Sequence, residues 1–80
     1  MNAFAEKSDK ILYFLKDQPK ADWFTLYTAT GLKKDDAIIT YLCKARLFIE
    51  CTDLYIRITE AGKNFISTTS FVELRDSSVH

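Results

Sequence analysis

TGLKKDDAIITYLCKARLFIE, residues 30–50, is the stretch whose reading decides the fold. Gly31 follows the apolar run WFTLYTAT. A glycine in that position takes the left-handed backbone that ends a helix with no Cβ penalty. A second helix is expected to begin near Lys33, and residues 47–49 read as an apolar strand. The order is helix end, sharp corner, helix, strand.

The helix after the corner is expected to span residues 33–46. At steps of about 100° per residue, Ala37, Ile38, Tyr41, Leu42 and Ala45 share one face, which is expected to be core. Asp36, Ile39, Thr40 and Cys43 then fall on the opposite, exposed side, flanked by Lys44 and Arg46. Asp35 and Asp36 near the start and Lys44 and Arg46 near the end also suit the helix dipole.

Outward from this centre, residues 3–17 read as a first helix with Phe4, Ile11, Leu12 and Leu15 as its buried stripe. Its N-cap is Asn2 or Ser8. It stops at Gln18, because the residue before Pro19 is pushed out of helical geometry. Asp22 is the expected N-cap of a short helix over residues 23–30, with Phe24, Leu26 and Tyr27 as its apolar contacts. Residues 47–51 and 54–58 form a hairpin around Thr52-Asp53. Leu54, Ile56 and Ile58 alternate with Tyr55 and Arg57. A short extra strand at Ala21 is expected to close the sheet. Thr59 caps a last helix over residues 60–68, with Phe65 and Ile66 inward. Residues 69–80 form a polar tail that nonetheless holds Phe71, Val72 and Leu74. Two readings of it stay open: a frayed end, or a short element that covers the core or pairs with a second copy.

Eighty residues make one domain, with residues 1–68 as its body. A chain this short buries only about 60% of its unfolded surface, so its stability margin is narrow. An apolar content of 48% places it among globular rather than disordered chains. The 11 basic and 11 acidic side chains balance. That lowers the expectation of nucleic-acid binding, which normally draws on an excess of Lys and Arg. Cys43 and Cys51 form no CxxC pair and the single histidine is His80, so no metal or cofactor is expected. Two free thiols suit a reducing compartment. The opening MNAFAEKSDK lacks a signal-peptide core, and no apolar run reaches the roughly 20 residues that span a bilayer. The expected location is cytoplasmic.

Four pieces together resemble the winged helix-turn-helix superfamily: KILYFL in the first helix, the corner TGL, the junction KARLFIE and the junction YIRITEAGKNFI. The last is similar to the Leu-Thr-x-x-Gly boundary where the second wing strand enters the closing helix. The resemblance covers residues 9–66. It implies an α+β winged helix of order α-α-α-β-β-α that binds double-stranded DNA as a small transcriptional regulator acting as a homodimer, with its third helix in the major groove and its wing on the backbone. The DNA-contacting set it implies is Lys20, Lys33, Lys34, Asp36, Ile39, Thr40, Cys43, Lys44 and Arg57. The alternative is a protein-interaction module. Ile39, Thr40 and Cys43 would then form an apolar ridge, extended by Tyr13 and Phe71. In that reading Ile39 packing under the wing or tail is the outcome that removes the ridge. An enzyme is the least expected class: there is no glycine-rich phosphate loop and no Ser-His-Asp or Cys-His set. Cys43 beside Lys44 carries at most a redox-sensing role.

Overall fold

The computed structural model describes residues 3–78. Asn2, one of the two capping candidates, and His80 lie outside them. The chain is an α+β domain of five helices and one three-stranded antiparallel sheet. In chain order these are α1 (Ala3–Lys16), β1 (Ala21–Asp22), α2 (Trp23–Thr30), α3 (Ala37–Thr40), β2 (Ile49–Cys51), β3 (Tyr55–Ile58), α4 (Glu60–Thr68) and α5 (Phe71–Ser78). A π-helical turn, Tyr41–Ala45, continues α3.

α1 closes where Pro19 demands it. The Gln18 backbone N–H donates to Leu15 O at 3.1 Å, and the Gln18 side chain donates to Phe14 O at 2.8 Å. Ile11, Leu12 and Leu15 are fully buried, but Phe4 lies at the rim, edge-on to Tyr41. Ser8, the other capping candidate, sits inside α1, buried, and its hydroxyl has no hydrogen-bond partner among the described residues.

β1 is the short strand expected at Ala21. It pairs with β3, Ala21 opposite Ile56, giving strand order β1-β3-β2. Asp22 ends β1 and caps α2, accepting from Thr25 N–H at 2.7 Å. That donor holds the Asp22 carboxyl below its ordinary 3.8. Only Leu26 and Thr30 of α2 are buried. Phe24, expected inside, is 78% exposed, and Tyr27 is also outside. Eight residues make about two turns, and the two turns bury a single narrow line of side chains.

Gly31 turns the corner at φ 76°, donating its N–H to Tyr27 O at 2.7 Å. Leu32 drops into the core behind it. The following helix starts four residues later than expected. Residues 33–36 form a turn closed by Asp36 N–H donating to Lys33 O, and Asp36 caps α3 by accepting from Ile38 N–H at 2.9 Å. The buried face is therefore Ile38, Ile39 and Leu42; Ala37 and Ala45 are exposed. After Thr40 the hydrogen bonds lengthen to i→i+5, with Arg46 N–H donating to Tyr41 O at 3.1 Å. A widened turn of this kind changes the rotation per residue, so a uniform helical projection fails across it.

Leu47 leaves the turn at φ 58°, the one positive φ among described non-glycine residues. β2 and β3 pair with Glu50 opposite Arg57. Leu54, expected on the inner side with Ile56 and Ile58, is 69% exposed at the hairpin tip. Thr59 caps α4 by accepting from Gly62 N–H, and its hydroxyl donates to Leu47 O at 2.7 Å.

Residues Phe71–Ser78 are helical, and α5 packs on α1. Phe71 joins Phe48 and Phe65 in an aromatic cluster with ring centroids 4.7–6.0 Å apart. The start of α5 is held by a carboxylate from the other end of the chain. Buried Asp9 accepts from Phe71 N–H at 2.7 Å and from Val72 N–H at 3.1 Å. Asp9→Ala is expected to lower stability by about 1–3 kcal/mol, because two part-buried donors lose their charged partner. Hydrogen exchange reads the effect directly as lost protection at the Phe71 and Val72 amides. Unchanged protection there would mean that the aromatic cluster alone holds α5.

Candidate nucleic-acid interface

The face opposite the core of α3 is built by default. With Ile38, Ile39 and Leu42 inward, Lys33, Ala37, Thr40 and Lys44 are left outward at intervals of four, three and four residues. Lys33 and Lys44 have no acid partner among the described residues. Exposed Ala37 and Thr40 on α3 are thus preceded by exposed Lys33 in the turn and followed by exposed Lys44 in the π-helical turn. Ala37 was missed by the sequence reading, which placed it in the core.

Ile39 is a correction. It is 2% exposed and belongs to the core with Ile38 and Leu42. The apolar ridge expected on the third helix does not exist. Phe71, its expected extension, is packed against Phe48 and Phe65. The error follows from counting Ala37, Tyr41 and Ala45 in the core stripe: Ala37 and Ala45 are exposed and Tyr41 is half-buried, so the stripe centres on Ile38, Ile39 and Leu42 instead. Asp36 is engaged as the α3 cap. Cys43 is half-buried and turns toward β2, where it lines a surface cavity with Leu47, Ile49, Glu50, Cys51 and Thr59. Arg46 also leaves the outer face: its guanidinium lies 4.9 Å from the Phe48 ring centre and 5.4 Å from that of Phe71.

The hairpin is bolted back onto α2. The Trp23 indole N–H donates to Thr52 O at 2.9 Å, and Lys34 Nζ reaches Asp53 Oδ1 at 3.1 Å. Thr52 can give up its carbonyl because its hydroxyl takes over the turn, accepting from Tyr55 N–H at 2.9 Å. This explains how the tip closes with no Asn-Gly or Asp-Gly pair.

On the outer side of the sheet, Arg57 is paired with Glu50 at 2.6 Å, and Lys20 Nζ stands 4.0 Å from the centre of the Tyr55 ring. These four side chains, with Cys51 and Thr52, line a shallow cavity of about 300 Å³. Lys20 and Arg57 are thus brought together, apart from the row on α3. Of the five expected cations, Lys34 and Arg57 carry acid partners. Both pairs are exposed, so each contributes about 0–1 kcal/mol and opens readily to a phosphate.

Among the described residues no group of three or more His, Cys, Asp or Glu is placed to hold a metal ion, and no helix is long and apolar enough to cross a membrane. No family model, no curated protein and no solved structure matches the chain.

Proposed function

We propose that the chain is a winged helix that binds duplex DNA as a small transcriptional regulator, with the outer face of α3 in the major groove. The observation that carries this reading is the exposure of Ala37 and Thr40 on α3, between exposed Lys33 in the turn before it and exposed Lys44 in the π-helical turn after it. The two lysines reach phosphates on either side of the groove. Ala37 and Thr40 are small enough to let the helix approach, and both suit contact with a thymine methyl. Lys20 and Arg57 on the sheet supply backbone contacts beyond the groove.

The charge is modest, and that fixes the expected salt dependence. Lys20, Lys33 and Lys44 are the cations of this set without acid partners. Three phosphate contacts give a log–log slope of about −2.7, so affinity falls roughly 40-fold between about 50 and 200 mM salt. Titration of fluorescent duplex DNA at both concentrations checks this. Lys44→Glu is expected to reduce the slope by about one. Thr40→Glu, at an exposed position, is expected to abolish binding with the melt unchanged. No binding at the lower salt rejects the reading.

A protein partner is the second reading, and one observation favours it. Phe24 is 78% exposed on α2, and Tyr27 lies one turn further along. The same titration separates the two, because a domain that docks protein through α2 leaves DNA unbound at any salt.

A further inference from the structure

Cys43 and Cys51 are far apart in the usual sense of a motif, yet the fold brings them to one place. Cys43 is the middle residue of the π-helical turn, and Cys51 is the last residue of β2. The turn and the strand are tied together next to them by Phe48 N–H donating to Leu42 O at 2.9 Å. Both thiols line the same open cavity of about 310 Å³, and both are free and half-buried. Cys43 is also close enough to add to the rise in the Cys51 thiol's pKa. Neither residue is needed as core filler to the extent that Ile39 or Leu42 is, since each keeps a solvent-facing side.

We propose that Cys43 and Cys51 form an oxidisable dithiol that hydrogen peroxide closes to an intrachain disulfide. The Cys43 thiolate attacks one peroxide oxygen; a S–O bond forms, the O–O bond breaks, and the departing hydroxide leaves as water after taking a proton. The Cys51 sulfur then attacks the Cys43 sulfenic acid. The S–S bond forms, the S–OH bond breaks, and the Cys51 proton leaves with that hydroxyl as a second water. Two electrons pass from the sulfur pair to the peroxide, which is reduced to two waters.

The environment separates the two roles. Burial, the charge of Cys43 and the hydrogen bond with it push the Cys51 thiol up to about 12, against a smaller opposing pull from the Lys34 ammonium. Cys51 therefore stays protonated at neutral pH and is a poor first nucleophile. It is placed instead to resolve the sulfenic acid on its neighbour. The open cavity gives each side chain room to rotate about χ1 toward the geometry a disulfide requires. The proposal concerns the thiol pair alone and is independent of what α3 contacts.

The test uses the reduced full chain, with hydrogen peroxide as the probe. Intact mass is expected to fall by two hydrogens with no change in oligomer size, peptide mapping is expected to find Cys43 joined to Cys51, and dithiothreitol is expected to reverse the change. In Cys51→Ser the reaction stops at the sulfenic acid, which dimedone traps at Cys43. In Cys43→Ser the first oxidation slows by about tenfold or more. The proposal is overturned if the wild-type chain couples to a second chain, if it gains oxygen on one cysteine while the other stays free, or if Cys43→Ser reacts at the wild-type rate. The wild-type mass and mapping decide the matter even where a variant folds poorly.

Discussion

Ile39→Glu is expected to unfold the domain. Ile39 is 2% exposed and packs with Ile38 and Leu42 beneath the α3 face. Removing a buried isoleucine side chain costs about 2–5 kcal/mol. Placing a carboxylate in the same apolar site adds a desolvation penalty. A chain of this length holds about 4–12 kcal/mol of stability in total, with small domains toward the lower end. The two penalties together match or exceed that reserve. Far-UV circular dichroism with a thermal melt is the measurement: loss of the cooperative transition is the expected result. Ile39→Val, which keeps the site apolar, is expected to cost only about 0.5–1.5 kcal/mol. A folded Ile39→Glu chain with a normal melt would put the residue back on the surface and reinstate the apolar ridge.

Gly62→Ala is the second large effect, and it runs against helix propensity. Gly62 lies in the first turn of α4, where alanine ordinarily gains about 1 kcal/mol over glycine. Here a Cβ would collide with the Phe48 carbonyl oxygen and stand 2.8 Å from Ile58 Cγ1. The carbonyl cannot move aside, because it accepts from Thr59 N–H at 2.9 Å, and Thr59 also grips Leu47 O. Relieving the overlap requires α4 to shift away from the junction between the π-helical turn and β2. Such overpacking costs about 1–3 kcal/mol or more, so a net loss of stability is expected in chemical denaturation. Gly31→Ala is the contrast. Nothing lies within 4 Å of a Cβ there, and only the left-handed backbone opposes it. That cost is about 1 kcal/mol. Equal losses at the two glycines would mean that the α4 contact is slack.

Both glycines were readable in the sequence, for different reasons. Gly31 stands directly after an apolar helical run, where a helix end has few other residues to use. Gly62 stands in a strand-to-helix junction, ITEAG, whose threonine is a natural cap. The two hairpin strands and most of the α1 stripe follow from equally local signals, whereas the pairing of β1 with β3 joins distant parts of the chain and is tertiary. The third helix was not readable in the same way. Two adjacent acids, Asp35 and Asp36, both suit a first turn, and only the fold decides that Asp36 is the cap. The π-helical turn over Tyr41–Ala45 was not anticipated from the residues either. Ile39 fell outside and Ala37 inside because Ala37, Tyr41 and Ala45 were counted in the core stripe, which turns its centre away from Ile39. α2 hid its exposed side for another reason: Phe24, Leu26 and Tyr27 are all apolar, and an eight-residue helix has too little periodicity to rank them. The thiol pair was invisible because seven intervening residues reverse the chain between Cys43 and Cys51, and that reversal is tertiary information.

The indole of Trp23 belongs to the only tryptophan in the chain, and its N–H is spent on the hairpin tip. The molecule thus carries its own optical gauge. Emission from that ring tracks whether the tip is seated on α2, separately from the packing of the helices behind it. Any event that lifts the tip, whether a ligand on the outer sheet or a strained neighbour, writes itself into the wavelength of unlabelled protein.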